Sequence, residues 1–183
     1  ICWVFVVCLC GFDTHAEQVQ IGTGNHTGFH AELLQMLSEA VFAFQDDLAR
    51  QGLEDRVVGM TFSEFGRRIQ SNYSDGTDHG TTGPVFVFGS QVNPRFLGTN
   101  PEIPAVVEVE DNLPLQFDFR SVYGSILKDW LCVAESDIRQ LLFGDFEYLP
   151  IIGNTVTGRS EELISEAVLS NYPNPFSSST QIR

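Results

Sequence analysis

The sequence predicts an α/β fold, a mostly parallel sheet flanked by helices, and three runs predict it. Residues 1–10 are almost wholly apolar and read as a buried strand. Residues 30–50 repeat apolar side chains at three- and four-residue steps, the period of a helix. Residues 57–62 form a second short apolar run. A strand, a helix and a strand in that order favour a parallel pair joined by a right-handed crossover.

In the helix, Leu33, Leu34, Leu37, Val41, Phe44 and Leu48 form the apolar stripe, and Gly52 supplies the stop. The second strand is closed by Ser63-Glu64-Phe65-Gly66. Residues 71–83 are turn formers throughout, and 84–88 read as a third strand. Residues 89–117 are punctuated by Pro and Gly, with a small strand expected at 105–109. Asp118 caps a helix whose expected buried stripe is Val122, Tyr123, Ile126, Leu127, Trp130 and Leu131. Ser136-Asp137 opens another short helix through Leu142. These elements make residues 1–152 one domain, followed by a linker at 153–169 rich in Gly, Thr, Ser and Glu, and a distinct segment at 170–183.

The chain has 183 residues, 43% of them hydrophobic, which suits one ordinary core rather than a disordered or fibrous protein. Against 24 acidic residues stand 10 basic ones, and Lys128 is the only lysine. A formal charge of −14 repels phosphate backbones, which argues against nucleic-acid partners. A small anionic substrate stays compatible where a metal or an arginine pair overcomes the overall field. The first residue is Ile1, and the opening run lacks the basic flank and small-residue cleavage pattern of a signal peptide. It therefore reads as a strand at the start of a truncated sequence, and it is too short to span a membrane. Cys2, Cys8 and Cys10 share one face of that strand with Val4 and Val6 and read as small buried hydrophobes, with Cys132 far away.

Three polar groups of residues border apolar strands: Asp13-Thr14-His15, Ser63-Glu64, and Asp78-His79 ahead of the strand at Pro84. Ligands in open α/β sheets collect at the carboxyl ends of strands, where the first two lie. In extended chain Asp13 and His15 project to one side and can grip a cation together. With Glu64 and His79 they make a mixed oxygen and nitrogen set suited to a divalent metal, zinc or manganese. From spacing alone Asp13 reads equally as a turn former or helix cap. His26 and His30 read as exposed loop and helix-start residues, and Asp75 and Asp78 as residues of the turn. Arg67-Arg68 reads as a solvated pair or as a contact for an anionic substrate. Ser63 has no nucleophile-elbow setting.

Gly11-Phe-Asp-Thr-His15, Met60-Thr-Phe-Ser-Glu-Phe-Gly-Arg67, Gly76-Thr-Asp-His-Gly80 and Asp118-Phe-Arg120 with Val122-Tyr123, in this order, resemble the bacterial domain-of-unknown-function family DUF1501. That family is sulfatase-like and belongs to the alkaline-phosphatase superfamily, so the resemblance implies an alkaline-phosphatase-like sheet and hydrolysis of phosphate or sulfate esters. It implies that Asp13 and His15 are the first ligand pair, that Glu64 replaces the Asp of an Asp-His-Gly motif, and that His79 is the late histidine ligand. Phe65 stands where that second motif has a histidine, which puts a complete two-metal site in doubt. The family's nucleophile would lie upstream of Ile1. Residues 171–176, Asn-Tyr-Pro-Asn-Pro-Phe, with Thr180 and Ile182, resemble the opening of the sorting domain read by the type IX secretion machinery, which implies a secreted or cell-surface protein. A non-catalytic surface module that keeps the fold is the alternative, and Phe65 favours it.

Overall fold

A computed structural model describes residues 2–22, 26–153, 171–172 and 181–182. The architecture is mixed α/β, with three α-helices and short antiparallel strand pairs among the described residues. The helix predicted first is the longest element, α1 at Phe29–Gln51. Gly52 ends it in the left-handed conformation (φ 66°), donating its N–H back to the last-turn carbonyls, the geometry a residue without Cβ adopts at no steric cost.

Four short strands follow. Gly59–Met60 (β1) pairs antiparallel with Val87–Phe88 (β4). Between them lies a hairpin of Gly66–Ser71 (β2) and Thr77–Gly80 (β3), in the register Arg67↔His79. The helices Phe119–Asp129 (α2) and Glu135–Leu142 (α3) follow where the periodicity places them. Asn171–Tyr172 (β5) pairs with Gln181–Ile182 (β6), while residues 154–170 and 173–180, which hold the expected linker and most of the expected sorting segment, lie outside the described residues.

The expected parallel pair does not form. Residues 2–10 join no strand, and Val4, Phe5, Val6 and Val7 are 66–89% exposed. A strand exists through its hydrogen-bonded neighbours, and among the described residues no strand pairs with this run. Its cysteines are therefore exposed and free instead of buried, as is Cys132. The 105–109 segment likewise forms no strand.

The core lies at the other end of the chain. Leu149, Ile151 and Ile152 pack with Val58, Val87, Val92, Phe117, Val122 and Trp130, which ties the β1–β4 ribbon to α2. The expected stripe on α2 is only half-buried, and the fully covered positions are Ser121, Gly124 and Ser125. The cause is close approach: Ile138, Leu142 and Tyr148 crowd Gly124, and the Ser125 hydroxyl accepts from Leu149 N at 2.7 Å. On α1, Leu33 and Leu48 are buried, whereas Leu34 and Phe44 of the expected stripe face solvent.

Asp118 is the N-cap of α2 as expected. Its carboxylate accepts from Arg120 N at 2.9 Å and pairs with the Arg120 guanidinium at 2.7 Å. The side-chain hydrogen bond from Arg120 pulls its pKa down to about 2. A carboxyl with a depressed folded-state pKa stabilises above its unfolded value, near 3.8, and loses that contribution as pH falls toward 2. Replacing Asp118 by Ala is expected to cost about 1 kcal/mol at neutral pH. Denaturant unfolding at pH 7 and pH 2 checks this, the difference from the parent narrowing in acid.

Candidate metal centre

Three chain segments build the site. Gly11 turns the chain at φ 108°, and a side chain there would press on Leu33 of α1, so the helix backs the entry to the site. Thr14 then points inward at 3% exposure, leaving its neighbours Asp13 and His15 on the outer face, the alternation read from the sequence. The segment is laid against the β2–β3 hairpin by Glu17 N to Ser74 O (3.0 Å), Gln18 N to Asp75 O (3.0 Å) and Thr77 N to Thr14 O (3.2 Å). Gly76 permits this contact, because a Cβ on it would overlap the His15 backbone. Asn72 closes the hairpin loop, accepting from Ser74 N and Gly76 N through Oδ1. Asp75 takes φ 57° there, the turn role expected of it.

The result is a triangle of donor atoms. His15 Nε2 and His79 Nε2 are 2.9 Å apart, and Asp13 Oδ1 lies 3.1 Å from the first and 3.0 Å from the second. All three side chains are about half exposed, so the triangle is open to solvent on its outer side. Around the rim, Arg67 donates to Asp13 Oδ1, Phe12 O and Thr77 O, each at 2.7 Å. The Phe65 ring stacks on the His79 imidazole at 3.6 Å between centroids and 14° between planes. Asp78 Oδ1 receives His15 Nδ1 at 3.1 Å and Asn72 Nδ2 at 3.0 Å.

Both carboxyls are held ionised. Desolvation raises Asp13, but hydrogen bonds from His79 and Arg67 and the charges of His15 and Arg67 outweigh it and bring its pKa below the ordinary value. Asp78 is lowered first by the Asn72 hydrogen bond and next by that from His15.

Of the ligands read from the sequence, Asp13, His15 and His79 converge, their ligand atoms lying within 4.8 Å of one another. Glu64 is exposed and stands outside that group. Arg67 is a strut between two backbone carbonyls and Asp13 rather than a solvated residue, its side chain only 21% exposed. Arg68 is tied to Glu110 at 2.6 Å and to His79 O at 3.1 Å. His30, expected to be exposed, is half-buried, edge-on to Phe12 at 5.9 Å, and burial lowers its pKa. The sequence reading missed the part that Asp78 and Asn72 play at His15. The signal that could have found them is that a histidine ligand ordinarily needs an acceptor for its second ring nitrogen, and Asp78 sits beside His79.

The three donors fit a divalent cation by their chemistry. A single proton among the three atoms leaves one pair of lone pairs facing each other, and protonating both imidazoles crowds two N–H groups onto Asp13 Oδ1 from nitrogens only 2.9 Å apart. A cation satisfies all three lone pairs at once. The edges, 2.9 to 3.1 Å, are slightly tighter than the spacing of about 3.3 Å implied by tetrahedral bonds near 2.05 Å.

Among the described residues no helix is long and apolar enough to cross a membrane. No curated protein and no solved structure matches the chain. Residues 3–116, well over half of it and including all the site residues above, match the family model described as a protein of unknown function (DUF1501), and the chain belongs to that family.

Proposed function

We propose that this chain carries part of a metal-dependent hydrolase of phosphate or sulfate esters, sulfatase-like and of the alkaline-phosphatase superfamily, with Asp13, His15 and His79 holding one divalent cation, zinc or manganese. The observation behind the proposal is the Asp13–His15–His79 triangle, which brings three ligand atoms from two chain segments to 2.9–3.1 Å of one another on an open face. Bound there, such an ion supplies Lewis-acid polarisation of an ester oxygen and lowers the pKa of a coordinated nucleophile. Asp13 and the two imidazoles bind, Arg67 fixes Asp13, and Phe65 walls one face of His79. Glu64 keeps the role of auxiliary ligand, and Arg67 that of an anion contact through its remaining donors. Thr14, only 3% exposed, is not open to an ester bound at the triangle and is not its nucleophile.

The same proposal makes the protein secreted or surface-bound through the type IX machinery, a reading supported by the sequence of residues 171–176. The second reading, a surface module that binds without catalysis, is favoured by Phe65, which stacks where the family pattern has a ligand. Metal analysis of the purified protein, followed by assay on aryl phosphate and aryl sulfate, separates the two. The hydrolase reading expects about one zinc or manganese per chain and ester cleavage that a chelator abolishes. Bound metal with no cleavage selects the binding module, and absence of metal ends the metal-dependent reading.

A further inference from the structure

We propose that Asp78, held by Asn72, is a positioning residue that sets the tautomer of His15 and aims its Nε2 at the Asp13–His79 side; this rests on the metal-site reading above. The chain of contacts runs Asn72 Nδ2 to Asp78 Oδ1 at 3.0 Å, Asp78 Oδ1 to His15 Nδ1 at 3.1 Å, and His15 Nε2 onward to the triangle. A carboxylate only accepts, so the proton of neutral His15 resides on Nδ1 and its Nε2 presents a lone pair. His15 Nε2 then faces His79 Nε2 at 2.9 Å and Asp13 Oδ1 at 3.1 Å as an acceptor, the form in which a ligand nitrogen binds a cation.

Asn72 couples this arrangement to the hairpin. Its Oδ1 caps the loop by accepting from Ser74 N and Gly76 N, while its Nδ2 reaches both Asp78 and the His15 carbonyl, at 2.9 Å for the latter. One amide therefore fixes loop, carboxylate and ligand backbone together. Asp78 and His79 are adjacent in β3, so the same short strand supplies one ligand and the orienting partner of another.

The test compares the parent chain with Asp78→Ala and Asp78→Asn, titrated with zinc and examined by ¹⁵N NMR of the histidine rings. The expected results are Nδ1–H on metal-free His15, loss of that preference in Asp78→Ala, and zinc binding weakened about 10- to 100-fold. Asp78→Asn keeps an acceptor oxygen and the shape, so it is expected to lose less, and it serves if the alanine variant does not fold. Nε2–H on His15 in the parent, or unchanged zinc affinity in Asp78→Ala, overturns the inference. Should the parent bind no zinc yet show the Asp78-dependent Nδ1–H tautomer, the metal reading fails and the positioning role stands.

Discussion

His79→Ala is expected to abolish tight metal binding while leaving the chain folded. Two donors, Asp13 and His15, remain, two residues apart on one segment, so the hairpin contributes no ligand to the ion. Losing one of three protein ligands is expected to weaken zinc affinity by at least about 100-fold. The stability change is expected to be small, because the His79 side chain is 48% exposed, so that its stack on Phe65, worth about 1 kcal/mol, and its solvent-facing contacts with Asp13 and His15 contribute little. Zinc titration and thermal melting of the same preparations check both halves. Parent-like zinc affinity in the variant would remove His79 from the site.

The second large effect is expected at Gly76, which supplies no ligand atom but lies against the His15 backbone. A Cβ there overlaps the carbonyl group of His15 and the nitrogen of Ala16, all backbone atoms that have no rotamer in which to retreat. Gly76→Val is therefore expected to push residues 14–18 off the hairpin, at a cost of about 2–4 kcal/mol, and to abolish metal uptake with it. Losing stability and metal together separates this variant from His79→Ala, which loses only the metal. Denaturant unfolding with a parallel zinc titration reads the contrast, and a parent-like melting curve would show that the contact is not required.

Much of the helical structure is legible in the sequence because its signals are local. The period over residues 30–50, Gly52 as stop and Asp118 as cap each act within a turn or two, and all three appear where expected. The β2–β3 hairpin is illegible for the opposite reason. Its strands, Gly66–Ser71 and Thr77–Gly80, are polar and lie over little core, so they lack the alternation that marks a half-buried strand. The apolar run at 2–10 misleads in the other direction, since composition states what a strand would bury but not whether neighbours are present to bury it.

At the site, Asp13 and His15 follow from two-residue periodicity, and His79 from its place in the order of motifs. Glu64, read from the same order of motifs, is exposed and stands outside the Asp13–His15–His79 group, because order along the chain does not fix how close a loop residue comes to a site. Asp78 looks like a turn former until the hairpin register brings His15 to it, a contact spanning 63 positions.

That separation governs how the site comes into being. The hairpin closes over few residues and can form early, but the triangle waits for a loop of more than sixty residues to shut, an entropic step that only the contacts of residues 12–18 offset. Asp13 and His15 therefore arrive together and leave together. A partial opening that peels this one segment from the hairpin disassembles the donor set in a single event, while α1, α2 and the core around Leu149 stay intact.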